Sequence, residues 1–222
     1  MAVSVLDLMG GFAVLAKGSG LLSTLSAPES YLDPFTTEFD RSLTHAYPEW
    51  ARAGVDFAYH GRNCLAYVVA VYGEAFDLVS LQLYESYSHA DFAINVQQAD
   101  PGVYLAHYMQ RLTAGWRVDF SSDRALAIAG AGPELGAAVV GLPRHKIVLG
   151  FANAWGGRGR PVKALYLPPH ALYLAHQRLL SVGMAPRGYM LWSLGSEGEN
   201  PVNRAAPLHL AWWFADILGA PL

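Results

Sequence analysis

Apolar residues along this chain fall into two patterns, helical spacing and short uninterrupted runs, and the two alternate. Over residues 4–17, Val5, Leu6, Leu8, Met9, Phe12, Val14 and Leu15 surround a helix with little polar surface, which predicts a helix packed on several sides. Gly18, Ser19 and Gly20 end it, and 21–27 reads as a short buried strand followed by turn residues. Residues 31–61 are aromatic and irregular, an ordered loop region. Asn63 is placed to cap a helix over 64–75, in which Leu65, Val68, Val69 and Tyr72 recur at three and four. The run at 76–84 is the strongest predicted strand.

A helix is predicted over 104–115, a strand or glycine-ended turn over 125–132 and a short helix over 134–140. A strand follows at 146–151, then a glycine-rich loop over 152–161. Pro168 and Pro169 suit a helix start and Gly183 its end, so 170–182 is helical. A last strand at 188–194 and a helix at 208–218 complete the chain. Short apolar strands alternating with helices predict a parallel sheet covered by helices. Two architectures carry that order: an open doubly wound sheet, or part of an eight-stranded barrel. Four strands in 222 residues favour half a barrel, because a complete one needs eight and about 250 residues.

Composition narrows the function classes. With 53% hydrophobic and 15% charged residues, the chain has the apolar content to fill a core. Fifteen Lys and Arg stand against eighteen Asp and Glu without a basic stripe, so nucleic acid is not an expected partner. No stretch approaches about 18 consecutive apolar residues, and no membrane span is predicted. The opening residues carry Asp7 and lack a basic leader, so no secretory signal is read there. The compartment stays open, and secretion is compatible with a full-length protein. Cys64, the single cysteine, is read as a small core residue in an apolar helix, and it excludes a disulfide scaffold. The eight His are dispersed without a ligand spacing, and the carboxylates have no calcium-loop spacing, so no metal is expected. The glycines do not form Gly-x-Gly-x-x-Gly and no Gly-x-Ser-x-Gly elbow is present, so neither a nucleotide cofactor nor a serine hydrolase is expected.

Four strand ends, at 21–33, 76–86, 141–151 and 187–197, together resemble the fifth to eighth strands of the chitinase-like barrels of glycoside hydrolase family 18. The resemblance spans nearly the whole chain and implies one partial catalytic-type domain over 1–222, the last four strand–helix units of a TIM (β/α)8 barrel. It implies substrate-assisted hydrolysis of β-1,4-linked N-acetylglucosamine polymers, the exception to the usual pair of enzymic carboxylates. The family's general acid ends an Asp-x-x-Asp-x-Asp-x-Glu series after the fourth strand, and no such series occurs in this sequence. The chain is therefore expected to be a carboxy-terminal half without a catalytic residue of its own, and to be catalytically incompetent or very poor alone.

The resemblance also implies sugar-binding positions. Gln82 and Tyr84 share a strand face, Tyr84 standing where the family bonds an acetamide carbonyl, and Glu85 replaces the commoner Asn or Asp. Trp192 matches the Trp that floors the cleavage subsite, where a flat ring covers the C–H face of a sugar. Glu29 matches the acid of an Ala-Pro-Glu turn and reads equally as a cleft or a loop residue. Trp155 is placed to stack on a more distant sugar, and Trp50, Tyr59 and His60 are candidate rim residues. The expected partners are an N-acetylglucosamine oligosaccharide and the missing amino-terminal half of the barrel. A non-catalytic chito-oligosaccharide-binding or scaffold protein, and an unrelated open α/β-sheet enzyme, remain the alternatives. Half a barrel exposes two sheet edges, so it is expected to aggregate or to need a partner.

Overall fold

The computed structural model describes residues 1–41, 45–46, 58–59, 62–84, 88–121, 123, 126, 136–156, 164–201, 203 and 205–219. The predicted elements at 125 and 127–132, and the candidates Trp50, His60 and Glu85, lie outside the described residues, as does the Tyr59 side chain.

The elements run α1 (Val3–Gly18), β1 (Thr24–Pro28), α2 (Ala66–Tyr72), β2 (Leu78–Gln82), α3 (Pro101–Ala114), β3 (Trp116–Asp119), β4 (Ala137–Val140), β5 (Ile147–Ala152), α4 (Pro169–Ser181), β6 (Gly188–Trp192) and α5 (Leu210–Ile217). Four strands form the main sheet in the order β1-β2-β5-β6, the order in which they occur along the chain. β5 and β6 are parallel, with Val148 opposite Gly188 and Ala152 opposite Trp192. Helical connections return the chain between successive strands, as parallel pairing requires. The order nowhere reverses, and a reversal is what defines the ligand crevice of a doubly wound sheet. The fold is a partial (β/α)-type barrel of four strands with flanking helices.

The chain divides into two compact units: Met1–Val79 with Arg111–Lys146, and Ser80–Gln110 with Ile147–Leu222. In the first, Leu6, Gly10 and Ala13 of α1 are buried, and the helix packs on α2. Asp7 accepts hydrogen bonds from the hydroxyls of Tyr67 (2.7 Å) and Tyr72 (3.1 Å). The expectation that α1 packs on several sides is corrected, because Val5, Leu8, Phe12 and Leu15 are exposed.

Asn63 does not cap α2 with its side chain. It sits at φ 53° and is buried. Its Oδ1 accepts from the Asp33 amide (2.8 Å) while Nδ2 donates to the carbonyls of Thr36 (3.2 Å) and Glu38 (2.9 Å). Asn63 thus holds the loop after β1. The helix predicted at 134–140 is instead strand from Ala137 to Val140, paired antiparallel with β3, Trp116 opposite Val140. Cys64 is buried, and burial pushes its thiol pKa up to about 12.

In the second unit β5 is buried at every position, which is why its sequence is an unbroken apolar run. Gly150 allows a close approach. A Cβ there would lie 2.6 Å from Met190 Cε and 3.1 Å from the Leu81 carbonyl oxygen. Tyr189 of β6 packs on Phe151 and Phe214, and its hydroxyl pairs with His176 Nδ1 at 2.7 Å. Burial lowers the His176 pKa and raises that of Tyr189.

Candidate functional site

The carboxyl ends of β2, β5 and β6, all in the second unit, bring three aromatic rings together. Tyr84 and Trp192 are near-parallel, centroids 6.2 Å apart and planes 12° apart. Trp155 meets Tyr84 edge-on at 6.4 Å and 82°. Both geometries are those that aromatic quadrupoles favour. Tyr84 is buried, whereas Trp192 is 58% exposed. One large flat surface therefore reaches solvent, backed by a buried ring.

Local sequence explains the placement. β2 ends at Gln82, and the Leu83 amide then donates to the Gly150 carbonyl at 3.0 Å. Tyr84 lies in a turn two residues beyond the end of β2. Gln82 is half-buried at the strand end. Tyr84, Ala152 and Ala164 form a buried apolar cluster, with Trp155 and Met190 against it. Small residues at 152 and 156 let the loop after β5 fold tightly, since a Cβ on Gly156 would meet that of Ala152 at 2.6 Å.

Polar contacts fix the backbone around Trp192. Its carbonyl accepts from the Asn153 amide (3.2 Å) and from Trp155 Nε1. The following peptide, Trp192–Ser193, is cis. Asn153, 1% exposed, donates from Nδ2 to the Ser193 carbonyl (2.7 Å) and to Glu197 Oε1 (3.1 Å). Both partners are acceptors, so the amide orientation is set by chemistry. Oδ1 is then buried with no partner among the described residues. Glu197 Oε2 accepts from the Ala211 amide at 3.2 Å, in the first turn of α5, where a carboxylate meets the positive end of the helix dipole.

Of the six predicted site residues, Tyr84, Trp155 and Trp192 come together, and Gln82 lies two residues before Tyr84. Glu29 belongs to the first unit, in a short 3-10 turn after β1, and is 1% exposed. Glu85 lies outside the described residues. The reading of the sequence assigned no role to Asn153 or Glu197. A polar residue directly after the all-apolar run of β5 was the available signal for Asn153. Glu197 carries no comparable mark, because its partners are distant in sequence.

Among the described residues no three His, Cys, Asp or Glu side chains form a metal-binding group. No helix in those residues is long and apolar enough to cross a membrane.

No protein-family model matches the chain, and no curated protein matches it. Solved structures do. A glycoside hydrolase family 18 chitinase from Pseudoalteromonas aurantia matches at 12% identity and TM-score 0.47, over 95% of this chain and 54% of that one. The catalytic domain of a family 18 chitinase from the fern Peteris ryukyuensis matches at 11% identity and TM-score 0.45, over 96% and 50%. The carboxy-terminal domain of Legionella pneumophila ChiA matches at 17% identity and TM-score 0.43, over 86% and 52%. The chain spans about half the length of these structures. The assignment to a partial (β/α)-type barrel rests on its own strand order.

Proposed function

We propose that this chain contributes the sugar-holding part of a chitinase-like glycoside hydrolase, binding N-acetylglucosamine oligosaccharides on the surface made by Trp192, Tyr84 and Trp155. The observation that carries the reading is the Trp192 ring, 58% exposed at the carboxyl end of β6 and stacked on Tyr84. Sugar rings present a C–H face that a flat apolar ring covers while their hydroxyls stay hydrated. Clustering at the carboxyl ends of strands is where barrel folds place ligand sites.

Tyr84 supports and orients the floor, and Trp155 closes one side of it. Gln82, at the end of β2, is a further contact, and Glu29 and Glu85 are further candidates by the family resemblance alone. Hydrolysis by participation of the substrate's own acetamide needs a protonated acid at the leaving oxygen, and the sequence contains no match to the acid series of that family. The 222 residues alone therefore bind without cleaving.

Titration of the purified chain with chitotetraose, followed by tryptophan fluorescence and calorimetry, tests this. Saturable binding is expected, weakened about tenfold or more in Trp192→Ala, equivalent to about 1.4 kcal/mol of lost stacking and burial. Absence of binding at millimolar ligand overturns the proposal, and rapid hydrolysis of chitotetraose overturns its non-cleaving half.

A further inference from the structure

Residues up to Gln110 of α3 and the whole of α4 belong to the second unit, and the two helices meet at Gly102. A Cβ on Gly102 would stand 3.1 Å from Arg178 Cβ and 3.3 Å from Ala175 Cα, so a larger residue would hold the helices apart. From that contact α3 runs on, while α4 ends at Ser181. Gly183, at φ 70°, turns the chain there. Its amide donates to the Leu180 carbonyl at 3.0 Å, and the Met184 amide donates to the Leu179 carbonyl at 2.8 Å, the paired bonds of a Schellman motif. The helix thereby satisfies its own last carbonyls, and Met184 joins Arg178 and Val182 on the wall that faces α3. A cleft of about 360 Å³ opens between the two. On the α3 side it is lined by Val103, Ala106, His107 and Gln110, the i, i+3, i+4 and i+7 positions of one helix face.

The cleft combines apolar surface with a fixed cation. Val103 and Val182 are 57% and 40% exposed, and Ala106 and Met184 add to the same surface. No Asp or Glu lines it. Among the described residues the Arg178 guanidinium makes no ion pair or hydrogen bond. A guanidinium stays charged across the working pH range, and its parallel N–H donors match the two oxygens of a carboxylate. One guanidinium balances one negative charge, which suits a monoanion better than a phosphate dianion. The volume lies at the small end of ligand sites, and an unbranched methionine adapts to an alkyl chain. We propose that the α3–α4 cleft binds a small amphiphilic carboxylate, with an unbranched apolar body of about eight carbons, a size set by the volume. The carboxylate pairs with Arg178, and the chain lies against Val103, Ala106, Val182 and Met184. None of the residues assigned to sugar binding takes part.

Titration of the 222-residue chain, labelled with nitrogen-15, with sodium octanoate tests the proposal through amide chemical shifts, with octanamide as the uncharged analogue of the same shape. Octanoate is expected to shift the amides of 103–110 and 178–184 saturably. About ten non-hydrogen atoms at ordinary ligand efficiency place the midpoint in the low millimolar range. Octanamide should bind about tenfold more weakly, because the charge-assisted bonds are lost. Arg178→Gln should bring octanoate down to the affinity of octanamide, and Ala106→Trp should fill the cleft and abolish binding of both. Arg178 is exposed and Ala106 half-buried, so circular dichroism should show the parent fold in each variant; if Ala106→Trp unfolds, Arg178→Gln decides. Absence of saturable shifts up to about 10 mM octanoate overturns the proposal. So does equal affinity for octanamide, or octanoate binding that Arg178→Gln leaves unchanged.

Discussion

Two adjacent glycines of α1 should respond to the same substitution with opposite sign. Alanine is favoured over glycine in a helix interior by about 1 kcal/mol. Gly11 has no heavy atom within 4 Å of an added Cβ, so Gly11→Ala is expected to gain about that amount. At Gly10 the added Cβ would lie 2.1, 2.3 and 2.5 Å from Cδ2, Cγ and Cε2 of Tyr72. Carbon atoms rest at about 3.5–4.0 Å, and a ring edge cannot swing aside as the end of a flexible chain can. Tyr72 must retreat by more than about 1 Å, which breaks its hydroxyl bond to Asp7. A hydrogen bond to a charged group contributes about 1.5–3 kcal/mol, and overpacking adds about 1–3 kcal/mol. Against the propensity gain, the net loss for Gly10→Ala is about 1.5–5 kcal/mol. Urea unfolding followed by circular dichroism reads it as a midpoint lowered by about 1 M or more. In a Tyr72→Ala background the clash is absent, and Gly10→Ala should turn neutral or stabilising. An unchanged or raised midpoint for the single variant, or a full penalty persisting without the Tyr72 ring, would refute the reasoning.

Three further outcomes follow from packing and burial. Gly150→Ala should destabilise the second unit by about 1–3 kcal/mol and weaken chitotetraose binding, because Met190 must leave its place against the Tyr84 cluster; thermal melts and titration check both. Cys64 should resist Ellman's reagent in the folded chain at pH 8 and react once urea unfolds it. Its pKa is raised from 9.0 to about 12, so its contribution is intact below about 9 and is lost by up to about 1.4 kcal/mol per pH unit as pH rises toward 12. Subtracting the melting profile of Cys64→Ala isolates that slope, and identical profiles count against it. For His176 the folded pKa is depressed from 6.5 by burial, so its contribution is present above about 6.5 and is lost as pH falls below it. His176→Gln should flatten the decline in melting temperature between pH 7 and 5, and parallel curves would contradict this.

The sequence was informative where burial is two-sided. β5 is buried at all six positions and reads as an unbroken apolar run. β2 and β6 were legible for a similar reason, although their ends were overextended to Tyr84 and Leu194. Their limits, Gln82 and Trp192, are not marked by any break in the apolar runs. The β3–β4 hairpin was missed because its strands are far apart in sequence and Ala137–Val140 carries no alternation. Exposure of α1 was equally hidden, since an apolar side chain does not reveal whether anything covers it. Tyr84 and Trp192 were named through the family resemblance of their strand ends, and Trp155 from its place in the loop after β5. The network of Asn153 and Glu197 was not, because it depends on contacts 40 and 44 residues apart.

The Trp192 carbonyl, held by the Asn153 amide and the Trp155 indole, changes the entropy of whatever settles on the ring. The main chain beneath the ring is immobilised before any ligand arrives, and only two side-chain torsions remain to be ordered. Fixing a rotamer-rich side chain on binding costs about 0.5–1.5 kcal/mol, and a rigid aromatic on a clamped backbone incurs the low end of that range. For the proposed sugar site, the exposed Trp192 ring is therefore preorganised, and affinity there would be limited by the area a ligand covers and little diminished by the ordering of the protein. Loosening the clamp at Asn153 should appear in calorimetry as a less favourable binding entropy, with the stacking enthalpy largely retained.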